Sequence, residues 1–181
     1  MSFSKTNCAI AAALSILLAG CGGGSDQEAP LGAPGDGNNL GGIAATGAPL
    51  SGAAVVVKSL TGAVVASTQT NSAAFFEVAL DPANAPYILE TSDTSVSPAK
   101  TYQALVLASD ISASGANLNI TPISTMVARI MLNEGLSGKT ANQIKTLRTQ
   151  AAEQVKKALQ PLLNEMKVTD TAEQLLTRQF V

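Results

Sequence analysis

Between about residues 42 and 120 the chain alternates short apolar, β-branched runs with clusters of Gly, Pro, Asn, Asp and Ser, the pattern of strands separated by turns. Strands are predicted over Ile43 to Thr46, Ala54 to Ser59, Ala63 to Thr68, Phe75 to Leu80, Tyr87 to Thr91, Thr101 to Ala108 and Asn117 to Ile120. Pro49-Leu50-Ser51-Gly52, Leu60-Thr61-Gly62, Asp81-Pro82 and Ser114-Gly115 divide them, because Pro removes a ladder donor and Gly bends where other residues are strained. In Phe76-Glu77-Val78-Ala79-Leu80 the period of two sends Phe76, Val78 and Leu80 inward and Glu77 outward, and it turns Leu118 and Ile120 away from Asn117 and Asn119. Seven short strands at this spacing predict a mainly β fold, a seven-stranded antiparallel Ig-like sandwich over residues 42–120.

After Ile120 the period lengthens to three and four. Thr121 suits a helix cap and Pro122 the first helical position, opening a helix through Leu132 that closes near Gly135, with Ile123, Met126, Val127, Ile130 and Met131 on one face. A second helix is predicted from about Ala141, with Ile144, Leu147, Val155, Leu159 and Leu162 on its stripe and Pro161 kinking or dividing it. Asp170 with Glu173 is predicted to cap a last short helix. The region 121–181 is thus helical, with two or three helices, and its apolar ending Phe180-Val181 is read as that of a truncated member of a longer class.

The first 20 residues follow another logic. Lys5 precedes a thirteen-residue apolar stretch from Cys8 to Gly20, short of the roughly 20 residues a membrane-spanning helix needs, and Gly22-Gly23-Gly24-Ser25 follows at once. This is the outline of a signal peptide. The junction Leu18-Ala19-Gly20-Cys21 resembles the lipobox of bacterial lipoproteins. That resemblance implies cleavage between Gly20 and Cys21 and acylation of Cys21 with three chains, a durable membrane anchor at about 0.8 kcal/mol per buried methylene. By the same analogy, Gly22 in place of an aspartate favours the outer membrane.

Residues 21–41 read as the lipidated cysteine and a tether: residues 22 to 41 hold seven glycines, Pro30 and Pro34, with little to bury. Twenty flexible residues reach about 25 Å. Asp36-Gly37-Asn38-Asn39 lacks the spaced oxygens and closing Glu of a calcium-binding EF-hand loop, so it reads as linker.

Within the strand region, the run Gly47-Ala48-Pro49-Leu50-Ser51-Gly52-Ala53-Ala54-Val55-Val56-Val57, with Leu60-Thr61-Gly62, Thr70-Asn71 and Phe75-Phe76-Glu77-Val78, resembles carboxypeptidase regulatory-like domains. These are transthyretin-like or prealbumin-like β-sandwiches, related in shape to the B-type repeats of surface adhesins. The likeness covers about 75 residues. Where those domains usually place an acidic residue and a glycine before the Phe-containing strand, this chain has Asn71, Ser72, Ala73 and Ala74.

Composition then removes most catalytic options. With no histidine, the usual base near neutral pH and a common metal ligand are missing. Cys8 lies in the leader and Cys21 takes lipid, so thiol catalysis, zinc sites and disulfides drop out. A net charge of -2 does not suggest nucleic acid as a partner. Residues 121–181 carry 8 basic and 5 acidic side chains, whereas 42–120 carry Lys58 and Lys100 against five acids, so the two parts attract weakly. Lys139, Lys145, Arg148, Lys156 and Lys157 read as a solvated helix face rather than a lipid or polyanion contact.

Three apparent motifs fail on context. Ser97-Pro98-Ala99-Lys100 has the serine and lysine spacing of penicillin-binding enzymes but sits in a turn, without their second serine motif or Lys-Thr-Gly strand. Gly138-Lys139-Thr140 resembles the end of a phosphate-binding loop, but Asn133 stands where the first glycine belongs. Glu77 and Glu90 as a paired-carboxylate site lack a pocket. Sugar binding needs aromatic platforms, and only Phe75, Phe76, Tyr87, Tyr102 and Phe180 lie beyond the leader. The expectation is therefore a non-enzymatic envelope lipoprotein without cofactor or metal, displaying a sandwich as a structural or interaction module toward an envelope protein or polysaccharide. The alternatives are a carbohydrate- or peptide-binding module and, third, an accessory fragment of a longer exported enzyme.

Overall fold

The structure, a computed structural model, describes residues 38–112 and 116–178. Six strands form two antiparallel sheets: β1 (Asn39–Ile43) pairs with β4 (Phe75–Ala79), while β2 (Ala54–Ser59), β3 (Val64–Gln69), β5 (Tyr87–Asp93) and β6 (Lys100–Val106) lie in the order β3-β2-β5-β6. The fold is mixed, two β-sheets followed by a helical C-terminal region, and the expectation of seven antiparallel strands is corrected. Its last member is reduced to the two-residue segment Ala116–Asn117, which runs parallel to β1.

The reason lies in the next three peptides. Leu118 and Ile120 N–H groups donate to the carbonyls of Gly41 and Ile43, each at 2.9 Å, while the Asn119 N–H turns to the Leu176 carbonyl at 2.9 Å. The C-terminal segment takes the place of a further strand. It also covers Asn119, which alternation had turned away from the buried Leu118 and Ile120 and which is itself fully buried.

β1 begins at Asn39, ahead of the predicted Ile43 to Thr46; Ala44 and Ala45 make only isolated bridges. Leu40, read as tether, is fully buried. Gly41, read as tether, and Gly42 after it both serve close packing: a Cβ on Gly42 would lie 2.1 Å from the Leu118 carbonyl oxygen, and one on Gly41 would lie 3.0 Å from the Phe75 ring.

Both sheets feed one core. Phe76, Val78 and Leu80 point inward with Glu77 outward, as their alternation predicts, and meet Val55, Val57, Leu89 and Val106 of the other sheet. Burying each of these larger side chains contributes about 1.5–3 kcal/mol. The turn before β4 closes around Asn71, whose Oδ1 accepts from the N–H groups of Ala73 at 2.9 Å and Phe75 at 3.0 Å; Ala74 takes φ +59°, a left-handed position usually left to glycine.

Helix α1 (Pro122–Glu134) starts as its sequence dictates. Thr121 Oγ1 accepts from Ser124 N–H at 3.1 Å, Ser124 Oγ accepts from Thr121 N–H at 2.8 Å, and Gly135 ends the helix at φ +73°. Its first turn also seals the edge of β6: Gln103 N–H donates to Thr125 Oγ1 and Ser124 Oγ donates to Gln103 C=O, both at 2.8 Å. Helix α2 (Ala141–Glu165) runs unbroken through Pro161, so the predicted division does not occur. Pro161 is exposed within the last two turns, and buried Leu163 follows it. Helix α3 (Gln174–Thr177) is held by a reciprocal pair, Thr171 N–H to Gln174 Oε1 at 2.8 Å and Gln174 N–H to Thr171 Oγ1 at 3.2 Å. The expected Asp170 and Glu173 cap is thereby corrected, because both carboxylates are drawn to arginines, Asp170 to Arg178 and Glu173 to Arg148. Among the described residues no helix is long and apolar enough to cross a membrane.

Candidate functional site

The segment between β1 and β2 is shaped by its own backbone. Leu50 N–H donates to the Ala44 carbonyl at 2.9 Å, and Gly47 and Gly52 take φ +98° and +66°. Thr70, at the end of β3, fastens this segment, accepting from Ala53 N–H at 2.8 Å and donating to the Leu50 carbonyl. The loop thus stands over the ends of β2, β5 and β6, and the space between is a groove of about 720 Å³.

Seven Ser and Thr residues line the groove, among them Thr46, Ser92, Ser95 and Thr101, with Glu90 and Asp93 as its only ionisable groups. Asp93 is buried and fully engaged: Oδ1 accepts from Ser95 N–H at 2.9 Å and Ser95 Oγ at 2.5 Å, and Oδ2 accepts from Thr46 Oγ1 at 3.0 Å. The hydroxyl and N–H of Ser95 hold its carboxyl below the usual range against the effect of burial, with Thr46 and Lys100 adding to the shift. A carboxylate stabilised in this way is a poor base, so Ser95 is its donor and not an activated nucleophile.

Glu90 sits on the outer face of the four-stranded sheet. Burial pushes its carboxyl up, but hydrogen bonds from Lys58 and Gln103, the latter at 2.7 Å from Nε2, and the Lys58 charge outweigh this and hold it below its usual value. Both carboxylates of the groove are thus engaged by neighbouring donors, Asp93 by Ser95 and Thr46 and Glu90 by Lys58 and Gln103.

The apparent motifs are dispersed by the fold. Glu77 is on β4 and Glu90 on β5, in different sheets, so they do not face each other. Ser97 and Pro98 lie in the exposed β5–β6 turn, with Lys100 at the first position of β6. Gly138-Lys139-Thr140 is the α1–α2 turn, where Thr140 Oγ1 accepts from Gln143 N–H at 3.3 Å to start α2. Of the aromatic candidates, Phe76 and Tyr87 belong to the core, Tyr102 packs against it, and Tyr87 OH donates to the Asp81 carbonyl at 2.7 Å. Phe75 lies against Gly41, and Phe180 falls outside the described residues, as do Leu18, Ala19, Gly20 and Cys21.

One expected surface residue is misplaced. Arg148 is not on the solvated face with Lys139 and Lys145; it is buried and binds Asp110 and Glu173. A signal was present, since Arg148 follows Ile144 by four and precedes Ala151, Ala152 and Val155 by three, four and seven, the spacing of the buried stripe. No protein-family model matches the chain, and no curated protein matches it.

Proposed function

We propose that this protein is a non-enzymatic lipoprotein of the bacterial cell envelope, held through acylated Cys21 and displaying its β domain as a structural or interaction module. The site observation that supports the non-enzymatic reading is the bonding of Asp93: the groove's buried carboxylate is occupied by Ser95 and Thr46, so it organises the loop. The anchor rests on Leu18-Ala19-Gly20-Cys21 behind its apolar leader. Two sheets around one core, with the Pro49 to Gly52 turn and the Phe75-Phe76 strand, support a prealbumin-like sandwich related to carboxypeptidase regulatory-like domains. The outer membrane is the proposed location, following from Gly22. Detergent phase partition of cell envelopes tests the anchor: the wild-type chain is expected in the detergent phase and Cys21→Ala in the aqueous phase, and equal partition refutes it.

A second reading is favoured by the groove alone. Its hydroxyl lining suits a polar, extended ligand such as a peptide more than a sugar, because none of its lining residues is aromatic. Chemical-shift changes confined to Thr46, Ser92 and Ser95 on titration with a peptide library are the expected outcome of that reading, and none at millimolar ligand would dismiss it.

A further inference from the structure

The hairpin joining β2 to β3 ends in an apolar tip. Leu60, Val64 and Val65 are 40%, 63% and 49% exposed, and residues 59–76 contain no charged side chain and no proline. Val65 is the extra residue of a bulge, since Val57 pairs with Ala66 and Lys58 with Val64, so two successive valines face solvent where alternation alone would turn one inward. Bulges blunt an edge against strand addition, so the exposed valines do not mark a pairing site. The turn also closes several of its own polar groups. Ser59 N–H donates to the Ala63 carbonyl and Gly62 N–H to the Ser59 carbonyl, both at 2.9 Å, and the Ser59 and Thr61 hydroxyls share a bond at 2.8 Å.

We infer that this tip enters the headgroup boundary of the membrane that holds the acyl chains, which rests on the lipoprotein reading and deepens it. Position selects lipid as the occupant. Leu80 N–H donates to the Asn38 carbonyl at 3.0 Å, Tyr87 OH donates to the carbonyl of the next residue, Asp81, at 2.7 Å, and Tyr87 pairs with Ser59. The chain leading back to Cys21 and the hairpin tip therefore share one end of the β domain. The stretch between Cys21 and Asn38, read as a tether, has a root-mean-square reach under about 25 Å, which keeps that end near lipid and makes insertion of three modest side chains an intramolecular step. An uncharged tip loses no ion hydration on entering the boundary, and the polar groups its turn leaves open still meet headgroups and water there. Lys58, next to the tip, is already paired with Glu90. The groove lies at the other end, beside Ala54 and Asp93, about 20 Å away along β2. Seating the tip thus points the groove away from the bilayer, open to a ligand.

The test uses the acylated full-length chain in vesicles of phosphatidylethanolamine and phosphatidylglycerol, with an environment-sensitive fluorophore on one introduced cysteine, Cys21 being blocked by its lipid. The label on Leu60→Cys is expected to brighten roughly twofold or more on reconstitution and to be quenched by lipids spin-labelled near the headgroup. Val96→Cys, a comparably exposed apolar position in the β5–β6 turn beside the groove, is expected to stay unchanged. Adding Val64→Asp to Leu60→Cys should return the signal to the level of Val96→Cys while the thermal melt stays in place, because Val64 is exposed in the fold. A wild-type chain without acyl mass takes down the anchor and this inference together. Acyl mass with a Leu60→Cys signal no greater than that of Val96→Cys, or one that Val64→Asp leaves unchanged, overturns the insertion alone.

Discussion

Arg148 of α2 donates through Nη1 to the Asp110 carboxylate, in the single helical turn after β6, and this buried pair ties the helical region to the β domain. Asp110 also accepts from Leu107 N–H at 2.8 Å, and Arg148 Nη2 reaches Glu173 at 2.8 Å. The weak attraction expected between an acidic β region and a basic helical region is thereby concentrated in one bonded cluster.

Removing Arg148 would leave Asp110 buried without its counter-charge. Arg148→Met is expected to lower unfolding free energy by about 3–5 kcal/mol in urea denaturation. Glu173→Gln, whose side chain is nearly half exposed, should cost under about 1 kcal/mol.

Acid stability should report on Asp93. Its folded pKa lies below the ordinary value of 3.8, so its contribution is fully present above that value and is lost as pH falls through the folded value. Denaturation between pH 5 and pH 2 should show a shallower acid loss for Asp93→Asn than for wild type. Ser95→Ala should shift in the same direction, because it removes the main cause.

Gly42 lies against the Leu118 backbone, with no room for a methyl. Gly42→Ala should destabilise by about 1–3 kcal/mol, the range of overpacked sites, and lower the Tm.

Helix α2 ends in a Schellman motif, with Val168 N–H to the Leu163 carbonyl at 2.8 Å and Lys167 N–H to the Asn164 carbonyl at 3.1 Å. Lys167 holds the left-handed position at φ +57°. Lys167→Gly should raise stability by about 1 kcal/mol, measurable as a higher denaturation midpoint.

These residues also show what was legible in the sequence. Phe76, Val78 and Leu80 were readable because one strand face meets the core and the other meets water, and α1 because Thr121, Pro122 and Gly135 act locally. Gly41 signalled a linker because small size for close approach and small size for freedom look identical in one dimension. Asn119 was unreadable for a longer-range reason: its Oδ1 accepts from Ile43 N–H at 3.0 Å and its Nδ2 donates to the Arg178 carbonyl at 2.6 Å, partners 76 and 59 residues away. At the groove, no local motif announced Asp93, since Thr46 arrives from 47 residues upstream.

The most direct test of the whole account is the intact mass of the membrane-extracted protein, compared between wild type and Cys21→Ala. The account predicts a chain beginning at Cys21 and heavier than its sequence by three acyl chains and a glyceryl group, with that added mass lost in the variant. A wild-type product without acyl mass would contradict it.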